Sequence, residues 1–127
     1  MPPTPSRSER DPESRIPLKA VDFLLLLMLA RSGDRHGYGI MQDVAEHTEG
    51  GIELEAGSLY RTIRRLQDDG LVEESSRRPA ADLDDERRRY YRLTPFGRKV
   101  VAAEASRLRR LVRIAESVRL LAPQGAR

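Results

Sequence analysis

Arg61, Arg64 and Arg65 stand at steps of three and four, so a helix through them gathers their guanidinium groups, with Asp68, on one side. A guanidinium is a planar fork of five N–H donors that keeps its charge at any physiological pH, and it matches phosphate oxygens and the acceptor edge of guanine. More such forks follow at Arg77 and Arg78 and at Arg87, Arg88 and Arg89. The chemistry these residues offer is recognition of polyanions. Other chemistries lack their residues. There is no cysteine, which removes disulfides and thiolate zinc sites. The two histidines, His36 and His47, have no neighbouring pattern of acids or a second His that would hold a metal or drive a nucleophile. Gly37-Tyr38-Gly39 is not a phosphate-cradling loop. No catalytic residue, cofactor or metal site is expected, and the chain does not read as an enzyme.

The elements that must position the arginines follow from apolar spacing. Leu59, Ile63 and Leu66 fall opposite Arg61, Arg64, Arg65 and Asp68, which predicts a helix from about Gly57 to Asp69 with one packing face. Gly70 stops it. Leu71 and Val72 open a strand, Pro79 to Glu86 is a turn, and Arg87 to Leu93 is a second strand carrying Tyr90 and Tyr91. Helix, stop, strand, loop, strand is the order of a winged helix-turn-helix, a mainly α fold with a small β-hairpin wing. Such a helix can enter a major groove about 12 Å wide while the hairpin reaches the adjoining backbone. The loop holds Asp82, Asp84, Asp85 and Glu86; these acids should point away from DNA, leaving Arg77, Arg78 and the arginine triplet to the phosphates.

Upstream, residues 1–17 contain five prolines and almost nothing apolar, which predicts a flexible arm. A first helix runs from Leu18 to Arg31, apolar nearly all round; Ser32 to Gly37 is a polar break; and a second helix covers about Tyr38 to Thr48, ended by Gly50 and Gly51. Ile52 and Leu54 form a short extended piece or anchor the next turn. Ser58 caps the third helix if that helix begins slightly later than Gly57, or offers its hydroxyl to a phosphate. Thr94 as N-cap and Pro95 at the first helical position start a last helix. Along it Val101, Ala105, Leu108, Val112 and Ala115 recur by fours and threes, a seam suited to another helix and most economically to a second copy of the chain. Domain organisation is thus an arm at 1–17, a winged helix-turn-helix domain at 18–94, a dimerisation helix at 95–122 and a tail at 123–127.

At 127 residues the chain can bury one modest core, which association would help to stabilise. Its net charge of +3 hides a segregation: residues 20–56 carry two arginines against seven acids, residues 87–119 eleven Lys or Arg against two Glu. A basic surface is the consequence, with the phosphates of double-stranded DNA an obvious partner; a membrane surface or an acidic protein could use the same field. The longest apolar run, Phe23 to Ala30, is eight residues, short of the roughly 20 that span a bilayer, and the leading residues lack a signal peptide's order. A cytoplasmic protein without a membrane partner is expected.

In this order the motifs resemble the PadR family of transcriptional regulators. Gly57-Ser58-Leu59-Tyr60 leading to Leu66, then Gly70-Leu71-Val72, then Arg89-Tyr90-Tyr91-Arg92-Leu93-Thr94-Pro95-Phe96-Gly97 are similar to that family's recognition helix, wing and wing-to-helix junction. His36-Gly37-Tyr38-Gly39-Ile40 matches the start of its second helix. The resemblance covers about residues 18–118 and implies a homodimeric repressor of the short type, with a single C-terminal helix, that binds DNA and is relieved by a small aromatic or lipophilic effector near the subunit contact. It implies Tyr60 at the protein–DNA boundary and Phe23, Leu27, Val101, Leu108 and Val112, with Ala115 from the seam, at the dimer interface. Where the family often has proline after the tyrosine, this chain has Arg61. The rival class is a winged helix serving as a protein-interaction module, its acidic loop gripping a basic partner.

Overall fold

The structure is a computed structural model that describes residues 11–75 and 89–123. Four helices and three short strands follow in the order α1 (Ala20–Ser32), β1 (Arg35–His36), α2 (Gly37–His47), α3 (Ala56–Asp68), β2 (Val72–Glu74), β3 (Tyr90–Leu93) and α4 (Pro95–Ser117). This is the winged helix-turn-helix expected from the apolar spacing. Leu25, Leu26 and Leu29 of α1 occupy its centre, closed by Ile40 and Val44 of α2, the apolar face of α3, and Val100 of α4.

β2 and β3 form the expected antiparallel hairpin, with Val72 opposite Leu93 and Glu74 opposite Tyr91. β1 falls within Ser32 to Gly37, the stretch expected to be a polar break. Its Arg35 and His36 pair antiparallel with Tyr91 and Tyr90, making a three-stranded sheet of order β1-β3-β2. Two residues carry no periodicity, so nothing local could announce this strand. Tyr91 is buried, and Tyr90 on the other face meets the His36 ring edge-on with centroids 5.5 Å apart.

The junction between wing and last helix is bound into the turn after α3. Gly70 has φ +78°, the left-handed region that glycine enters at little cost, and the Leu71 N–H donates to the Leu66 carbonyl at 2.9 Å, as in a Schellman cap. The Thr94 hydroxyl donates to the Gly70 carbonyl at 2.6 Å and accepts the Gly97 N–H at 2.9 Å, so one side chain caps α4 and staples it to α3. At Gly97 a Cβ would stand 2.0 Å from the Leu71 carbonyl oxygen, which is why glycine occupies this turn.

Two expectations on the ends of elements are corrected. Residues 11–17 do not behave as an arm: Pro12–Arg15 is a 3-10 turn packed on α4, Ile16 and Leu18 lie on the core, and the Leu18 N–H donates to the buried Glu104 at 2.7 Å. The apolar pair Ile16 and Leu18 supplies what the prolines obscured. The N-cap of α3 is Glu55, with no side-chain hydrogen bond, so Ser58 is not the cap; it sits inside the first turn.

Candidate nucleic-acid interface

Two sides of α3 are sharply distinct. Leu59, Ile63 and Leu66 are buried, while Arg61 and Arg64 are exposed. The Ser58 hydroxyl accepts from Arg61 Nη2 at 3.2 Å, which leans that guanidinium back along the helix towards its N-terminus. Arg65 departs from the expected reading set. Its guanidinium donates to both carboxylate oxygens of Asp22 on α1, each at 2.8 Å, and Asp22 is only 4% exposed. Hydrogen bonding to that carboxylate raises the arginine's pKa further. A buried carboxylate must find a charged or donating partner, and Arg65 is that partner; the helical spacing alone could not distinguish it from its neighbours.

Tyr60, half-buried, lies against the start of α2, where a Cβ on Gly37 would fall 2.7 Å from its hydroxyl oxygen. Gly39 makes the same allowance for Arg35, whose Cζ would be 2.5 Å from a Cβ there and whose guanidinium clasps Asp43 at 3.0 and 3.2 Å. His36 Nδ1 accepts the Gly39 N–H at 2.9 Å and caps α2. The His-Gly-Tyr-Gly stretch is therefore a packing device that seats α2 against α3 and the sheet. His47 donates to the Asp43 carbonyl within its own helix at 2.9 Å. Among the described residues no group of His, Asp or Glu could hold a metal ion.

Between α3 and the root of the wing lies a polar cleft of about 100 Å³ lined by Tyr60, Ile63, Arg64, Gln67, Glu74, Arg89 and Tyr91. Arg89 approaches Glu74 at 3.7 Å, and the exposed Arg92 pairs with Glu73 at 2.9 Å. Arg77, Arg78, Arg87 and Arg88, and the acidic loop between them, lie outside the described residues. Among the described residues, Arg61 and Arg64 stand exposed on the outward side of α3, with Tyr60 and Arg89 lining the cleft beside them.

Residues 25–103 match the model of the transcriptional regulator PadR-like family. The chain belongs to that family. This PadR-like protein is 33% identical over 95 residues to the transcriptional regulator Rv3488 of Mycobacterium tuberculosis, covering 75% of the chain and 82% of the relative. Its fold is similar to that of a transcriptional regulator from Clostridium thermocellum, with a TM-score of 0.63, 25% identity and coverage of 76% and 90% of the two chains. It is also similar to that of a PadR family regulator from Clostridium difficile, at TM-score 0.63, 20% identity and coverage of 79% and 98%. Family and fold are those of DNA-binding transcriptional regulators and not of a catalyst.

The expected subunit contacts of this PadR-like chain divide into two groups. Val101 is 6% exposed because α4 packs there on α1, so it belongs to the core of its own domain and is corrected to a structural residue. Phe23, Leu27, Leu108 and Ala115 are half-buried, and Val112 is exposed. Beyond them Leu111, Ile114 and Val118 are also exposed. No described helix is long and apolar enough to cross a membrane.

Proposed function

We propose that this chain is a cytoplasmic homodimeric repressor of the short PadR type, holding promoter DNA through α3 and relieved by a small aromatic or lipophilic effector. The observation that supports it best is the division of α3 into a fully packed apolar side and an outward side bearing Arg61 and Arg64. Those two guanidinium groups suit guanine edges or phosphates, Ser58 and Tyr60 sit where the backbone would pass, and Arg89 with Arg77, Arg78, Arg87 and Arg88 serve the wing. Two-fold pairing along α4, with Phe23, Leu27, Leu108, Val112 and Ala115 at the contact, would place two such helices about 34 Å apart or a multiple of it. An effector seated beside that contact would act by changing the angle between the two α4 helices, since a small rotation there moves both reading heads.

The test is a double variant, Arg61→Ala with Arg64→Ala, measured against a duplex that the wild-type protein recovers from a random-sequence library. Affinity for that duplex should drop at least about tenfold while the assembly keeps its mass. Undiminished affinity would reject α3 as the reading element.

A further inference from the structure

We infer that the Asp22–Arg65 pair is a strut that sets the roll of α3 about its own axis, so that Arg65 is a positioning residue and not a DNA contact; this rests on the reading of α3 proposed above. Along their backbones α1 and α3 make little direct contact; α3 leans instead on α2 and β2. The bidentate pair, with both contacts at 2.8 Å, bridges that gap from the last turn of α3. Its anchor is rigid. Asp22 is 4% exposed in the first turn of α1, on the same side of that helix as the core residues Leu25, Leu26 and Leu29.

A two-pronged guanidinium–carboxylate contact fixes direction as well as distance, which a single hydrogen bond or an apolar contact cannot do. Side-chain tips lie about 5–6 Å from a helix axis, so a roll of roughly 10° displaces them by about 1 Å. That is enough to spoil a bidentate contact between Arg61 or Arg64 and a base edge. Because α1 also packs on α4, the same strut ties the orientation of the reading helix to the element that would carry the partner subunit.

Binding of the full chain to two duplexes tests this: one recovered by the wild type from a random-sequence library, the other of the same composition but scrambled. The variants are Asp22→Asn and Arg65→Lys, studied below their unfolding temperatures as fixed by circular dichroism. Positioning predicts that each loses about tenfold or more in affinity for the recovered duplex, changes little on the scrambled one, and keeps the wild-type slope of log affinity against log salt. A DNA-contacting Arg65 predicts the opposite sign for Asp22→Asn, because the released guanidinium would tighten binding to both duplexes. That result overturns the proposal, as does lowered thermal stability with unchanged discrimination between the duplexes. The double variant Arg61→Ala with Arg64→Ala, run in parallel, separates the two levels. If it leaves discrimination intact, α3 is not the reader and the strut falls with it, whereas a loss there beside unaffected Asp22 and Arg65 variants overturns the strut alone.

Discussion

Glu104 is a carboxylate on the core side of α4, 1% exposed, and its surroundings decide what it contributes. Arg107 one turn on donates to both its oxygens, and the backbone N–H of Leu18 adds a third bond. Chiefly through the hydrogen bonds from Arg107, against the opposing effect of burial, its pKa falls below the usual carboxylate value. A folded-state pKa below the unfolded one means that ionised Glu104 stabilises the fold fully above its unfolded pKa of about 4.3, and that this part is lost as pH falls through the lower folded value. Glu104→Gln should therefore cost roughly 2 kcal/mol at pH 7, the scale of a hydrogen bond to a charged group, and the gap from wild type should close as urea titrations are repeated towards pH 3. A gap that does not change with pH would show that the residue acts by shape alone. Two of the buried acids, Asp22 and Glu104, had a signal in the sequence. Asp22 lies three, four and seven residues before Leu25, Leu26 and Leu29, and Glu104 three after Val101 and four before Leu108, so each sits on an apolar stripe where an acid requires a partner. Arg107 stands three positions after Glu104, within reach of helical spacing, but the partner of Asp22 was not legible: Arg65 is 43 positions away and equivalent by spacing to the arginines beside it.

The junction that carries the wing into α4 is a single welded unit, and its parts differ in how much strain a substitution would bring. Thr94 both caps α4 and holds the Gly70 carbonyl, so Thr94→Ala should cost about 1–2 kcal/mol. Gly97→Ala meets backbone, not a movable side chain, at 2.0 Å, and should cost on the order of 3 kcal/mol, at the upper end of overpacking. Equilibrium unfolding of both variants checks the order: if Gly97→Ala proves the milder, α4 can slide away from Leu71 and the junction is not rigid. Elements of this kind were readable in advance wherever a period ran for three turns or a stop residue stood at the end. α3, the hairpin and the start of α4 were placed on Leu59, Ile63, Leu66, Gly70, Thr94 and Pro95. What escaped depends on distant surfaces. β1 exists only because β3 offers it a ladder, and residues 11–17 are held by α4, some ninety positions later. A Ser58 cap needed α3 to begin after Gly57; the helix begins at Ala56, so Ser58 lies inside its first turn and partners Arg61.

At the scale of the whole molecule α4 has two halves with different surroundings. Over its 23 residues, about 35 Å at 1.5 Å per residue, the first part buries Val100, Val101 and Glu104 against the domain. The second leaves Leu111, Val112, Ile114 and Val118 between 44% and 58% exposed. Arg109, Arg110 and Arg113 are interspersed with them and exposed too, so the apolar row is flanked by positive charge, and like charges limit how closely two such helices can approach side by side. An antiparallel or crossed pairing that separates the arginines while joining the apolar rows answers both demands. Under the proposed dimer, Val112→Asp should place a desolvated carboxylate in that contact and convert the assembly from two chains to one in sedimentation equilibrium. The circular dichroism spectrum should stay the same, because residue 112 contributes nothing to the core of its own domain. Affinity for the recovered duplex should fall steeply, and the slope of log affinity against log salt should drop to about half, since each chain then neutralises only its own phosphates. A variant that stays dimeric would move the subunit contact away from the distal half of α4. One that becomes a monomer yet binds the duplex with the original slope would mean that a single α3 and wing make every phosphate contact, and that pairing has no part in holding DNA.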